Sequence, residues 1–216
     1  MNESVVIRDL VPEKDMDGVF NCYAEGFRHI IWPILDHAEK SLHQDILRFF
    51  LAGASDGFVA EHEGEVHGVL LGSIPERAGR VLYMLSYGAF RLLPPAAARS
   101  HGMDDFARRA FFRLLCGYAP HLLRHPVARG MAEVLLFTSR RALRGRGMGR
   151  MLMDAYMARA RQRGARVVFV CTDTALSYHF YEAYGFSRVR SFPMTAYRES
   201  LPGETHQGLI YRLDLA

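Results

Sequence analysis

Residues 144–149 have the sequence RGRGMG, and they are the most informative stretch of the chain. They follow an apolar segment typical of a buried strand, residues 132–138 (AEVLLFT), and precede an amphipathic helix that begins near Gly147. A glycine-rich turn that opens a helix exposes backbone amides at the positive end of the helix dipole, which favours an anion. Taken alone, the stretch is consistent with a phosphate site and equally with an ordinary strand-to-helix turn.

Five arginines surround this turn, and arginine matches phosphate oxygens bidentately; they are Arg140, Arg141, Arg144, Arg146 and Arg150. Two other phosphate motifs do not fit. The Walker pattern GxxxxGK[ST] is absent because the only lysines are Lys14 and Lys40. The dinucleotide pattern GxGxxG would require a glycine at Leu152.

Strands and helices alternate on both sides of the turn. After it, the patterns predict a strand at 167–171, a helix from about 174 to 184, and strands at 186–192 and 208–215. Before it, they predict a strand at 5–10, helices at 13–27 and 38–52, and a hairpin of strands 58–62 and 66–74. This order indicates one mixed α/β domain over residues 1–216.

The stretch from about 75 to 129 is predicted to be a helical insert within that domain. It contains Pro94, Pro95 and Pro120, and an amphipathic helix is expected from 104 to about 118. The alanine-rich run after Pro95 is expected to form a bend.

Composition limits the class of protein. Half of the 216 residues are hydrophobic, which is enough for a sizeable core. No apolar run approaches the roughly 20 residues of a membrane span, and the first residues lack a secretion signal, so a cytoplasmic protein is expected. The formal charge of +4 favours an anionic partner. Three separated cysteines and no HExxH motif predict neither a zinc site nor any other metal.

Two motifs carry a resemblance to a known family. Residues 144–149 match the [Q/R]xxGx[G/A] motif of the GCN5-related N-acetyltransferase (GNAT) superfamily, in the place where that family has it. About 35 residues further on, residues 180–186 (FYEAYGF) resemble its second signature. The resemblance covers about residues 132–186. It departs at Thr174 and Ser177, where many members have asparagine and alanine.

The resemblance implies a twisted, mostly antiparallel sheet with helices on both faces, in which the central parallel fourth and fifth strands splay apart. It implies acetyl-CoA as co-substrate, with the pantetheine arm bonding to strand backbone like an added strand. The residues that it implies for coenzyme A binding are Phe137, Thr138, Ser139, Arg144, Gly145, Arg146, Gly147, Met148, Gly149, Arg150 and Thr174.

Catalytic roles follow from the same resemblance. Tyr181 aligns with the tyrosine that donates a proton to the coenzyme A sulfur in many members, and a phenol suits that role. Glu133 is the first candidate for the base, since a partly buried carboxylate has its pKa raised towards working pH. Glu25, Glu61 and Asp173 are alternative candidates for the base. The non-catalytic alternatives are that Tyr181 only packs within a helix and that Glu133 is a solvated or salt-bridged surface residue.

The resemblance thus implies an N-acetyltransferase that acts on an amine by direct transfer. A non-catalytic acyl-CoA-binding or sensing module and a basic nucleic-acid-binding protein are the alternatives. Aromatic residues of the acceptor region are consistent with a bulky or partly apolar acceptor, and equally with a role in filling the core or a homodimer interface; they are Phe27, Trp32, Tyr83, Tyr87 and Phe90.

Overall fold

The computed structural model of the chain describes residues 4–28, 40–74, 95–117, 131–143, 145–194 and 205–215. The strands are β1 (Val6–Asp9), β2 (Asp56–His62), β3 (Glu65–Ser73), β4 (Met131–Ser139), β5 (Val167–Asp173), β6 (Ser187–Pro193) and β7 (Gln207–Asp214). The helices are α1 (Pro12–Phe27), α2 (Lys40–Gly53), α3 (Pro95–Ser100), α4 (Asp105–Cys116), α5 (Met148–Gln162) and α6 (His179–Tyr184), with a short 3-10 turn at Arg141–Leu143.

The seven strands form one sheet in the order β1-β2-β3-β4-β5-β7-β6. Neighbours are antiparallel except β4 and β5, which are parallel. The predicted hairpin is the β2–β3 pair, and its turn places Glu63 and Gly64 at positive φ. The expected mixed sheet with a central parallel pair is therefore confirmed.

Helices cover both faces of the sheet, so the core has two parts. On one face α1, α2 and α4 bury residues such as Tyr23, Ile46 and Phe111 against the strands. On the other face α5 and α6 bury Tyr156 and Tyr181. Burial of these apolar surfaces supplies most of the free energy that holds the helices to the sheet.

The predicted helix at 174–184 is wrong in its first half. Residues 174–178 form a turn, because the Asp173 carboxylate accepts a 2.9 Å hydrogen bond from the Ala175 amide and the Thr174 hydroxyl accepts one of 2.9 Å from the Gln207 amide. Side chains that bond to nearby backbone in this way compete with helix formation. The helix begins only at His179 and ends at Gly185, whose φ is +117°.

The predicted insert contains α3 and α4 among its described residues, while 75–94 and 118–130 lie outside them. The expected bend after Pro95 is instead the short helix α3. Asp104 caps α4 by accepting a 2.7 Å bond from the Ala107 amide. His101 fastens this part of the chain to α2, since its ring nitrogens lie 2.8 Å from the Ser41 hydroxyl and 3.2 Å from the Asp45 carboxylate.

Candidate active site

The parallel strands β4 and β5 separate part of the way along their length. They are paired only from Met131 with Val167 to Val134 with Val170. In the described part of the chain, β4 continues to Ser139 and β5 to Asp173 without further pairing between them. The expected splay is thus present, and it leaves backbone groups along one edge of β4 for a ligand.

A register shift in the β3–β4 pairing accompanies the splay. Leu71 pairs with Leu136 but Gly72 pairs with Val134, so Leu135 is an extra residue in β4. Such a bulge reverses which face the following residues occupy. Val134 therefore packs in the part of the core covered by α5 and α6, whereas Leu136 packs in the part covered by α1, α2 and α4.

The glycine-rich loop leads directly into α5. Gly145 and Gly147 have φ values of +83° and +77°, a left-handed region that favours glycine, and a Cβ at either position would meet no atom within 4 Å. The helix hydrogen-bond ladder begins where the Met151 amide donates to the Gly147 carbonyl at 3.0 Å. Helix geometry leaves the earlier amides without intrahelical partners, and they point at the open space before the helix.

A cavity of about 470 Å³ lies between this loop and the separated strands. This volume falls within the range of small-molecule sites. The predicted residues that line it are Phe137, Thr138, Ser139, Gly145, Gly147, Met148, Gly149, Arg150 and Tyr181. Phe27 of the predicted acceptor region lines it too. Residues that the sequence did not assign to the site also line it: Gly26, Thr172, Leu176, Ser177 and Phe180.

Two of the predicted binding residues that the structure describes stand apart from this wall. Arg146 is exposed and does not line the cavity. The Thr174 hydroxyl lies on the β7 side, where it accepts from the Gln207 amide. Arg144 lies outside the described residues, as do Trp32, Tyr83, Tyr87 and Phe90 of the predicted acceptor region.

The arginines around the loop differ in their surroundings. Arg140 forms ion pairs with Glu25 at 3.6 Å and Glu65 at 3.4 Å. The guanidinium of Arg150 lies over the Tyr184 ring, 5.3 Å from its centroid. The loop is therefore basic, but these two cations already have contacts within the protein.

Tyr181 lines the cavity and is almost completely buried, 7% exposed. Its ring packs against Phe137, Phe186 and Tyr211 with centroid separations of 6.3, 5.6 and 5.9 Å. Burial raises the pKa of its phenol above the ordinary value, so the hydroxyl keeps its proton at neutral pH. The phenol is therefore in its protonated form in the cavity wall.

Glu133 lies on β4 before the bulge and is half-buried. Removal of its carboxyl from water raises the pKa to about 7. It does not line the cavity itself. Of the alternative bases, Glu61 is bound to Arg8 and Lys14, and this pairing lowers its pKa. The pKa of Glu133 thus lies in the range that a base at neutral pH requires.

Gly26 is a cavity residue whose role the sequence could have indicated. It lies inside a predicted helix, where glycine is unfavourable unless space demands it. In the structure a Cβ at Gly26 would overlap the Thr138 hydroxyl, so only glycine allows α1 to approach β4 this closely. By contrast, Leu176 and Ser177 reach the cavity from a turn that the sequence predicted as helix.

The described residues contain no group of three or more metal-ligating side chains. His62 and His67 pack ring to ring at 6.0 Å on the β2–β3 hairpin, and His179 is exposed beside Glu182. His121 and His125 lie outside the described residues. No helix in the described ranges is long and apolar enough to cross a membrane.

Solved structures share the fold. They include an agmatine N-acetyltransferase mutant (18% identical, covering 98% of this chain and 100% of the other, TM-score 0.65) and a polyamine N-acetyltransferase of Drosophila melanogaster (16%, 98% and 100%, 0.63). A GNAT family acetyltransferase from Elizabethkingia anophelis with acetyl-CoA bound is 9% identical, with 98% of each chain covered and a TM-score of 0.56. Identities this low show the fold alone.

One family model matches part of the sequence. No curated protein matches it. The model of the acetyltransferase (GNAT) family matches residues 114–186, a segment that includes β4, the glycine-rich loop, α5, β5 and α6. This is the segment whose strands separate and whose loop and Tyr181 border the cavity. Residues 114–186 thus match the acetyltransferase (GNAT) family, and the chain as a whole shares its fold with solved GNAT acetyltransferases.

Proposed function

We propose that the protein transfers an acetyl group from acetyl-CoA to the nitrogen of an amine. The observation that carries this proposal is one cavity bordered by three features: the glycine-rich helix start, the open edge of β4, and a buried, protonated tyrosine. Each corresponds to one requirement of acyl transfer from a thioester: binding the donor, stabilising its carbonyl oxygen, and protonating the leaving thiolate.

The loop and β4 would hold the donor. The amides of Met148, Gly149 and Arg150 at the start of α5 suit a pyrophosphate, because they converge beside the positive end of the helix. The open space around Gly145 and Gly147 supports this fit, since no side chain blocks an approach to their backbone. The unpaired edge of β4 would bond the pantetheine arm as a strand does. An amide near Phe137 to Ser139 would donate to the thioester oxygen.

Acetyl-CoA supplies an activated acyl group whose carbonyl carbon accepts the amine nitrogen. Tyr181 gives its phenolic proton to the sulfur as the carbon–sulfur bond breaks, so that the leaving group departs as a neutral thiol. Tyr181 lines the cavity, and because its pKa is raised it carries the proton at neutral pH that this role requires. Solvent can return the proton to Tyr181 after product release.

Glu133 takes the proton that the amine must lose. A carboxyl with a pKa of about 7 is half ionised at neutral pH, and it can accept this proton directly or through water. Its side chain belongs to the same strand as the edge that would bind the donor. The strand therefore links base and donor within one rigid element.

Ligand binding and thiol release test the proposal separately. Acetyl-CoA, free coenzyme A and longer acyl-CoAs are each added in a thermal-shift measurement, and acetyl-CoA is expected to raise the melting temperature. A thiol-release screen over amines then tests turnover. Agmatine and polyamines belong in that screen because two structural neighbours are named for them.

The outcomes distinguish the candidate functions. Stabilisation with thiol release supports the acetyltransferase. Stabilisation without release from any amine would instead support an acyl-CoA-binding module. No stabilisation by any coenzyme A species would contradict the proposal.

A further inference from the structure

The end of helix α1 is fastened to the end of strand β4 beside the cavity. The Thr138 hydroxyl donates a 3.1 Å hydrogen bond to the Cys22 carbonyl, and Gly26 lies in close contact with the same threonine. Gly26 and Phe27 also line the cavity. This end of α1 therefore forms part of the same cavity wall as the glycine-rich loop.

Glu25 extends this attachment to the chain that leads into the loop. One oxygen of its carboxylate accepts a 2.6 Å hydrogen bond from the backbone amide of Arg141, the first residue of the 3-10 turn. The other oxygen lies 3.6 Å from Nε of Arg140. Because the shorter bond goes to a backbone amide, it fixes the path of the main chain and not only the position of a side chain.

The charges at this point support the same interpretation. A carboxylate bonded to an amide and paired with a guanidinium makes charge-assisted bonds, which are shorter and stronger than neutral ones. Arg140 is also paired with Glu65 on β3, and its own amide donates to the His67 carbonyl at 2.8 Å. The chain between β4 and the loop is thus held from two sides, by α1 and by the β2–β3 hairpin.

We infer that Glu25 is a positioning residue for the donor site: it sets the main-chain path into residues 145–149 and so holds their amides in the arrangement that binds pyrophosphate. The inference rests on the proposed function, because it concerns the same loop. Glu25 does not itself line the cavity. It acts through Arg140 and Arg141, and its effect is confined to ligands that reach the loop.

The experiment compares Glu25→Ala, Glu25→Gln and the control Glu65→Gln, which also removes a carboxylate from Arg140. Calorimetry gives the dissociation constant of acetyl-CoA, and competition NMR gives that of S-acetylpantetheine, which has the thioester but no pyrophosphate. Glu25→Ala should weaken acetyl-CoA binding by about tenfold and leave S-acetylpantetheine within about twofold of the wild type. Glu25→Gln should lie between, since its amide oxygen can still accept from Arg141.

Each other outcome has a definite meaning. Equal weakening of both ligands would show that Glu25 only maintains local folding, and unchanged acetyl-CoA binding in Glu25→Ala would show that it does not position the loop. An effect of Glu65→Gln as large as that of Glu25→Ala would assign the role to Arg140 instead. Each of these results would overturn the inference. Failure of wild-type protein to bind acetyl-CoA would overturn the proposed function itself.

Discussion

The hydroxyl of Tyr156 donates a 2.8 Å hydrogen bond to the backbone carbonyl of Glu133, so helix α5 holds β4 at the residue proposed as base. The neighbouring residues Ala132 and Val134 pack in the part of the core covered by α5 and α6. Because side chains alternate along a strand, the Glu133 carboxyl points to the other face, towards α1 and α2. Glu133 is thus fixed through its main chain from one face, and its carboxyl lies on the other.

Tyr156→Phe should lower the free energy of unfolding by about 1–2 kcal/mol, since it leaves a buried carbonyl without its donor. The same hydroxyl lies 3.2 Å from the Ser73 carbonyl, which loses that contact as well. Urea denaturation at neutral pH measures the change. Tyr184→Phe is the matched control because its hydroxyl bonds to Asp154 at the surface. Equal losses in the two variants would contradict the structural role of the Tyr156 bond.

Glu133→Gln should remove the pH dependence of turnover. In the wild type, kcat/KM should rise as pH increases through about 7, because the carboxyl must lose its proton to act as base. In the variant the profile should be flat in this range and the plateau about 100-fold lower. Steady-state rates from pH 5.5 to 9 measure both. A variant that keeps the wild-type profile would exclude Glu133 as the base.

The same pKa shift predicts a change in stability with pH. The folded-state pKa of Glu133 lies above the ordinary value of 4.5, so between about pH 4.5 and 7 the folded state binds more protons than the unfolded state. The free energy of unfolding contributed by this group therefore falls as pH rises through that window. This decrease in the free energy of unfolding should be smaller in Glu133→Gln. Urea denaturation at pH 5 and pH 8 measures it in both proteins, and an equal decrease in the wild type and the variant would contradict the raised pKa of Glu133.

Tyr181→Phe should lower kcat by about 100-fold and leave the dissociation constant of acetyl-CoA nearly unchanged. The ring contacts with Phe137, Phe186 and Tyr211 are retained, so the fold should be retained too. An aryl thioester donor sharpens the test. Its thiolate is a better leaving group and needs no proton, so the wild type and the variant should differ little with it. A deficit of equal size with both donors would show that Tyr181 has a packing role only.

Sequence patterns were sufficient for much of this architecture. Alternating strands and helices, with Gly185 ending a helix, predicted the order of elements from β1 to β7. The sequence of residues 144–149 predicted the loop because glycine is required there, where φ is positive at Gly145 and Gly147. These features depend on local backbone chemistry, which a sequence carries directly.

Long-range contacts were harder to predict. The turn at 174–178 forms because Thr174 bonds to Gln207, 33 residues away, and no local pattern contains that partner. The contribution of Gly26 to the cavity depends on Thr138, more than 100 residues away, although a glycine inside a predicted helix was a signal. The extra residue Leu135 in β4 depends on register with β3.

Gly147→Ala should weaken acetyl-CoA binding beyond its effect on stability. Gly147 and Gly164 flank the two ends of α5 with φ values of +77° and +76°, and a Cβ at either would meet no atom within 4 Å. Alanine at each therefore costs backbone strain alone, about 1 kcal/mol. Urea denaturation should give similar losses for both variants, whereas calorimetry should show weaker acetyl-CoA binding only for Gly147→Ala. Equal affinities in the two variants would show that the backbone at Gly147 takes no part in donor binding.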